Sequence, residues 1–148
     1  MLLRNLHRRI RLRATQVAKV IESLDSSRAF TVPAGELSIA ILDGPAMARL
    51  HADFLGDLTE TDVITFEGDR AADTAGEICV CADVAQEYAA RHGIDFAEEL
   101  CLCLVHGYLH LAGFDDVDPA RRRLMRAAER RAMGFVHAAN AIPEPRIL

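Results

Sequence analysis

Two histidines, His106 and His110, stand four residues apart in the stretch HGYLHLAGFDD, which covers residues 106–116. On an α-helix this spacing leaves the side chains ~40° apart around the axis and one turn apart along it, so both imidazoles project from one face. Two such nitrogens can bind one metal ion at ~2.1 Å each. The spacing alone also allows a second interpretation, in which both histidines are core residues bonded to the backbone.

The residues that follow His110 favour the metal site. In a continued helix, Asp116 would point ~240° away from His110. Gly113 can adopt a left-handed conformation, end the helix and turn the chain back. His106, His110 and Asp116 would then form a three-ligand site, and three protein ligands leave a position open for water, as in catalytic zinc sites. Without such a ligand, two imidazoles on an apolar helix would be costly to bury.

Gly107 bears on the kind of chemistry. The spacing resembles the extended zinc motif of metzincin proteases, His-Glu-x-x-His-x-x-Gly-x-x-His, but Gly107 occupies the place of the glutamate that acts there as general base. A glycine cannot take a proton. A peptidase of that mechanism is therefore disfavoured.

The elements that must position these residues can be read from hydrophobic periodicity and from turn residues. Strands are predicted over 36–42, 61–68 and 77–84, with a loop over GDRAADTAGE (68–77). Helices are predicted over about 7–24, 46–54 (stopped by Gly56), 84–93, 95–112 and 118–134. The irregular alternation of helices and strands indicates an α+β fold, a small mixed sheet packed with helices.

Local signals mark several helix ends. Asp95, with Glu98 three residues later, has the pattern of a capping box that opens the apolar helix bearing the histidines. Asp118 followed by Pro119 predicts the start of the last helix. Residues 138–148 are predicted to form a flexible tail, and residues 1–148 a single domain.

Composition adds weaker constraints. The 148-residue chain has a net charge of −5, which argues neither for nor against a nucleic-acid partner. Cys79, Cys81, Cys101 and Cys103 are predicted to be buried reduced thiols, with a cysteine zinc site as the second interpretation. The apolar segments are too short to cross a bilayer, and we expect a cytoplasmic protein without a membrane partner. Arginines cluster in residues 4–13 and 121–131, which could contact phosphates or form solvated helix faces.

Three motifs together resemble the YbeY endoribonucleases, also called rRNA maturation factors. They are HGYLHLAGFDD, TDVITF (61–66) and GEICVCADVA (76–85), which agree with the family in order and spacing over about residues 36–135. The resemblance implies a four-stranded sheet packed with about five helices around a central helix that carries the first two histidines, a zincin-like arrangement. It also implies a metal-dependent enzyme, usually with one Zn²⁺ held by three histidines.

The resemblance further implies single-strand-specific RNA cleavage, maturation of the 3′ end of 16S rRNA and a role in ribosome quality control. The implied partners are rRNA, the small ribosomal subunit and ribosome-assembly factors. Within this scheme His106, His110 and Asp116 are the metal ligands, and Asp115 and Glu77 are the candidate catalytic residues. Asp62 is a further residue that could line the cleft.

This chain departs from the family pattern at three positions. Asp116 replaces the last histidine, Leu55 stands where many members have an arginine linked to activity, and His51 stands where asparagine is usual. An anionic oxygen ligand makes bound water less acidic and lets manganese or magnesium compete with zinc. Arginines that could replace the missing one are Arg49, Arg70 and Arg121.

Two alternatives to the nuclease remain open. One is a ribosome-assembly factor that acts by binding, with a mainly structural metal, which the missing arginine favours. The other is a metallohydrolase of another substrate.

Overall fold

A computed structural model describes residues 1–55 and 62–148, except for the side chain of Leu55. The helices are α1 (Ala14–Ser27), α2 (Gly44–Leu55), α3 (Ala82–His92), α4 (Phe96–Leu111) and α5 (Pro119–Ala138). The strands are β1 (Leu2–Asn5), β2 (Ile10–Arg11), β3 (Glu36–Leu42), β4 (Val63–Glu67), β5 (Thr74–Cys81) and β6 (Arg146–Ile147). A short 3₁₀ helix covers Arg70–Ala72.

A four-stranded mixed sheet in the order β1-β3-β5-β4 forms the centre of the fold. β1, β3 and β5 run parallel, and Ile39 of β3 lies opposite Ile78 of β5. β4 runs antiparallel to β5 and pairs Val63 with Val80. β3 and β5 are buried on both faces, as the inner strands of a sheet covered by helices must be. The described residues therefore confirm the predicted α+β class, with a four-stranded sheet and five α-helices.

The two faces of the sheet carry separate apolar clusters. Ile39, Ile78 and Val80 belong to the larger cluster, which includes buried residues of α1, α4 and α5. The alternate residues, such as Cys79 and Leu42, belong to a smaller cluster completed by Met47 of α2. Since successive strand residues point to opposite faces, α4 lies on one face of the sheet and α2 on the other. The histidine-bearing helix is thus central to the larger core.

The N-terminal prediction was wrong. The sequence predicted a helix over about 7–24, whereas β1 occupies residues 2–5 and α1 begins only at Ala14. Val17, Val20 and Leu24 do form the buried face of α1, but Ile10 belongs to β2. The apolar spacing from Ile10 onward extended the helical pattern by coincidence, and the parallel pairing of β1 with β3 is a long-range contact without a local signal.

Element ends also differ from the predictions. β5 begins at Thr74 inside the predicted loop and ends at Cys81, where α3 follows directly. Asp95 caps α4 by position but makes no side-chain cap hydrogen bond, and Glu98 instead pairs with His137 at 3.1 Å. The Asp118 cap is confirmed, since its side chain accepts a hydrogen bond from the Arg121 amide.

The C-terminal segment has defined partners. α5 continues past Gly134 to Ala138, because a glycine ends a helix only where the backbone takes up a left-handed conformation. Ala141 is buried, and β6 pairs antiparallel with β2. In the structure these contacts replace the flexible tail predicted over residues 138–148.

The four cysteines are buried and reduced, as predicted. Burial and the nearby Glu77 raise the pKa of Cys79 to about 12. Burial likewise raises the pKa of Cys101 to about 12. Both thiols are therefore protonated at neutral pH, and the described residues include no cysteine group placed to hold a metal. No helix in the described ranges combines the length and apolarity required to cross a membrane.

Candidate metal centre

α4 brings His106 and His110 to one face, one turn apart. Their Nε2 atoms lie 3.0 Å from each other, and both side chains are mostly buried. Gly107, between them, faces the sheet. A Cβ atom at this position would lie 2.4 Å from Cγ2 of Ile78 on β5, closer than carbon atoms can approach. The glycine that occupies the place of the protease glutamate thus permits α4 to pack closely on the sheet, and it does not face the metal-binding side.

The turn after α4 places the third candidate ligand. Gly113 has φ +100°, and the amide of Phe114 donates back to the carbonyl of Leu109 at 3.0 Å. A Cβ at Gly113 would meet no atom within 4 Å, so the need for glycine is conformational and not steric. The chain returns and sets Asp116 Oδ2 3.6 Å from His106 Nε2 and Asp116 Oδ1 3.9 Å from His110 Nε2.

The triangle formed by these atoms has the size of a metal site. Four ligands at ~2.1 Å in tetrahedral geometry lie ~3.4 Å from one another. The two nitrogens lie 3.0 Å apart, each lies 3.6 or 3.9 Å from a different oxygen of Asp116, and one ligand atom from each residue can be chosen so that all three lie within 4.8 Å of one another. Two imidazole nitrogens and one carboxylate oxygen are also a donor set that zinc accepts. The three residues form a group that could hold a metal ion, and they are the one such group found among the described residues.

Glu129 on α5 supports this group from behind. It is a buried carboxylate, and its Oε2 lies 3.4 Å from Nδ1 of His106, the ring nitrogen that faces away from Asp116. Arg126 Nη1 donates to Glu129 Oε1 at 3.0 Å. A carboxylate on the outer nitrogen of a metal-binding histidine fixes its tautomer and orientation. Sequence reasoning missed Glu129.

A signal for Glu129 does exist in the sequence. The buried face of α5 consists of Met125, Ala128, Ala132 and Val136 at helical spacing, together with this one acidic residue. A carboxylate on an otherwise apolar helix face requires a partner. The sequence does not say which partner it has.

Protonation of the two imidazoles is unequal. Burial alone would lower the pKa of His106, but Glu129, Asp116 and Asp62 outweigh burial and raise it. Burial and the adjacent His106 lower the pKa of His110. Two imidazolium ions this close would repel each other, so His106 is the ring that takes up an additional proton first as the pH falls. A metal must displace that proton, and binding will weaken as the pH falls.

The two candidate catalytic residues have different positions. Asp115 neighbours Asp116 in the turn, and its Oδ2 lies 3.3 Å from Nη1 of Arg121. Glu77 lies on the opposite face of the sheet, where it pairs with Arg4 at 2.6 Å and lines an apolar cavity beside α2. The structure therefore does not bring Glu77 to His106 or His110, because on β5 it alternates with Ile78, which faces α4.

The other residues singled out from the sequence divide similarly. Asp62 lines the same cavity as His106 and Asp116, a space of about 300 Å³. Arg121, in the first turn of α5, pairs with Asp115 and Asp118. Arg126, in contrast, was not singled out and does line the cavity.

The remaining sequence candidates lie on other elements. Arg49 is exposed on α2, and Arg70 is exposed in the 3₁₀ helix. His51 lies on α2. Gly56 and the first residue of the TDVITF motif lie outside the described residues.

Comparison with known proteins decides the family. The family model described as endoribonuclease YbeY matches residues 4–137. The chain belongs to the endoribonuclease YbeY family. A relative from Protochlamydia amoebophila, named endoribonuclease YbeY, is 41% identical over 102 residues, which cover 66% of this chain and 68% of the relative. Another of the same name, from Halorhodospira halophila, is 36% identical over 118 residues, covering 75% and 74%.

A solved structure supports the fold. The solution structure of TM1509 from Thermotoga maritima superposes with a TM-score of 0.64 and covers 93% of this chain and 90% of its own. Its sequence is 23% identical, so the likeness concerns the fold alone. The YbeY resemblance inferred from three motifs is thus confirmed at the level of family and architecture.

Proposed function

We propose that this protein is a metal-dependent endoribonuclease that cleaves single-stranded RNA. The observation that carries the proposal is the triangle of His106, His110 and Asp116 ligand atoms in a chain of the YbeY family. A bound divalent ion at this position would supply a Lewis acid for a phosphate oxygen and a water of lowered pKa. We propose Zn²⁺ as the ion, with manganese or magnesium as competitors because Asp116 is a hard anionic ligand.

The protein residues have separate tasks in this proposal. His106, His110 and Asp116 hold the ion. Glu129 orients His106, and Arg126 holds Glu129. Asp115, whose carboxylate pairs with Arg121, is proposed to orient the turn that carries Asp116 and to accept a proton during cleavage. Glu77 has no task at this site, since it lies on the other face of the sheet.

The biological setting is proposed from the family resemblance. We propose that the substrate is precursor rRNA at the 3′ end of the 16S species, that the small ribosomal subunit and assembly factors are partners, and that the protein acts in ribosome quality control in the cytoplasm. The names of the relatives support the RNA-cleaving part of this proposal.

The test is cleavage of a single-stranded rRNA precursor fragment with added divalent metals. Wild type should cleave, and His110→Ala should lose cleavage by a factor of roughly 100 or more, since ligand loss empties the site. His137→Ala is the matched control, because His137 is a surface histidine paired with Glu98 and should cleave as wild type does. Equal cleavage by His110→Ala and wild type would refute the metal role.

A second function has one observation in its favour. Leu55 stands at the position where many family members have an arginine linked to activity. If the protein acts by binding in ribosome assembly, with a mainly structural metal, a strain depleted of it should be rescued by His110→Ala provided that the variant remains folded. Failure of that rescue, together with loss of cleavage, favours the enzyme.

A further inference from the structure

One face of α5 concentrates positive charge. Arg122, Arg123, Arg126 and Arg130 are exposed, and with ~100° between consecutive helical residues their side chains fall within an arc of ~100°. They line a surface depression of about 500 Å³ together with Pro119, and none of the described residues lining it is acidic. We call these four residues the arginine face.

The other arginines of α5 are engaged elsewhere. Arg121 pairs with Asp115 and Asp118. Arg131 lies 5.8 Å from the centre of the Phe135 ring. By contrast, no carboxylate among the described residues lies within ion-pair distance of Arg122, Arg123 or Arg130. Three guanidinium groups are left to solvent, in a protein whose net charge is −5. Such a patch attracts anionic ligands locally although the net charge of the protein is negative.

The arginine face is continuous with the metal centre. Arg126 lines both the depression on α5 and the cavity that contains His106 and Asp116. Arg126 also donates a hydrogen bond to Glu129, which contacts His106. A chain of phosphates lying on Arg122, Arg123 and Arg130 would therefore arrive at the candidate metal ligands.

An aromatic ring on another wall of the cavity narrows the choice of anion. α3 and α5 both pack against α4, and α3 contributes Tyr88 to the cavity. The Tyr88 ring is half exposed and is stacked on His92 with 4.0 Å between ring centres. Cationic grooves flanked by aromatic rings are how proteins hold single-stranded nucleic acid, with phosphates on the cations and bases stacked on the rings. Lipid head groups and acidic side chains offer anions to the arginines but no planar base to stack on the ring.

We propose that a single RNA strand lies along the arginine face, with its phosphates on Arg122, Arg123 and Arg130, and enters the metal-site cavity with a base against Tyr88. The inference rests on the proposed function, because it takes RNA as the substrate. It assigns the substrate path to α5, a surface that contributes none of the candidate metal ligands.

The test measures binding of a 2′-O-methylated single-stranded oligonucleotide, which resists cleavage, by fluorescence anisotropy at several salt concentrations. The variant combines Arg122→Gln, Arg123→Gln and Arg130→Gln. Loss of three phosphate contacts should weaken binding roughly 10- to 100-fold at ~0.1 M salt and flatten the plot of log affinity against log salt by ~2. Replacement of the same three residues by lysine should preserve the slope, because the charge is retained.

A matched control removes the same charge elsewhere. Arg8, Arg13 and Arg28 are exposed residues of the N-terminal part of the chain, and their triple glutamine variant should bind within about threefold of wild type. Tyr88→Ala should weaken binding roughly tenfold with an unchanged salt slope, since stacking releases no counterions.

Four results would overturn the inference. Equal losses of RNA affinity in the two glutamine triples would mean that binding depends on net charge and not on the position of the arginines. Wild-type binding and cleavage by the α5 triple would remove the path while leaving the proposed nuclease intact. If the α5 triple lost binding to anionic phospholipid vesicles but kept its binding to RNA, the arginine face would be a membrane-binding surface. A wild-type protein that neither binds nor cleaves single-stranded RNA would refute the proposed function along with the path.

Discussion

Replacing Glu129 by glutamine removes one charge from the support of the metal centre while keeping the shape of the side chain. The carboxylate is 4% exposed, and its two partners are His106 Nδ1 at 3.4 Å and Arg126 Nη1 at 3.0 Å. A glutamine carbonyl can still accept a hydrogen bond from the imidazole. The variant therefore isolates the effect of charge on the basicity of His106.

The expected loss in metal affinity is ~10- to 100-fold, which is the usual effect of changing a carboxylate on the outer nitrogen of a ligating histidine. This corresponds to ~1.4–2.7 kcal/mol. The value should lie toward the lower end, because Asp116 and Asp62 also act on His106 and remain in place.

The metal-free protein should show a matching change in the pH dependence of its stability. The raised pKa of His106 stabilises the fold below the unfolded histidine pKa of ~6.5, and this contribution is lost as the pH rises through the folded pKa. Burial would raise the pKa of Glu129, but the hydrogen bond and charge of His106 with those of Arg126 hold it below its usual value. Its contribution is present above ~4.3 and is lost as the pH falls through the folded pKa. The free energy of unfolding of wild type should exceed that of Glu129→Gln most clearly between pH ~4.3 and pH ~6.5.

The assay is zinc competition against a chromophoric chelator at neutral pH, with urea unfolding of the metal-free proteins at several pH values. Glu98→Gln is the control, since it also removes a carboxylate from a histidine, here the exposed His137. The reasoning is refuted if Glu129→Gln, folded as wild type is, binds zinc within twofold of wild type.

Three further changes test the packing of the fold. Gly107→Ala should cost about 1–3 kcal/mol in the free energy of unfolding, measured with urea, since its Cβ would meet Ile78 at 2.4 Å; an unchanged midpoint would show that α4 moves away freely. Gly113→Ala should cost about 1–2 kcal/mol and also lower zinc affinity, because φ +100° is strained for alanine and the turn places Asp116; lower stability with unchanged affinity would separate the two. Asp83→Ala should cost about 2–4 kcal/mol in the same unfolding assay, because the buried His7 Nε2 and the Gly44 amide each lose an Asp83 oxygen at 2.7 Å. A loss under ~0.5 kcal/mol, which is typical of surface substitutions, would contradict this.

Most of the candidate site could be predicted from the sequence, because its candidate ligands lie within eleven consecutive residues, on one helix and the turn that follows it. Helical geometry relates His106 to His110, and Gly113 supplies the reversal that returns Asp116. Glu129 was missed because it comes from another helix, and the contact between α4 and α5 has no local signature. Glu77 was a candidate because it belongs to the GEICVCADVA motif, but strand alternation directs its side chain to the face of the sheet opposite α4, beside Arg4.

The sequence predicted helices and strands correctly where the hydrophobic pattern is long and turn residues mark its ends. β3 was predicted at its observed limits, 36–42, and α3 was correctly ended at Gly93. β1 and β6 were missed because each is only two to four residues long and is stabilised by pairing with a distant segment. Short edge strands of this kind carry too few residues for periodicity to distinguish them from helix starts or tails.

Zinc titration of the purified, metal-stripped protein, with wild type beside Asp116→Ala, measures whether these three residues hold an ion. We predict one ion per chain in wild type and an affinity lower by a factor of roughly 100 in Asp116→Ala, with Asp115→Asn close to wild type. Absence of stoichiometric binding in wild type, or equal affinity in wild type and Asp116→Ala, would contradict the assignment of His106, His110 and Asp116 as the metal centre.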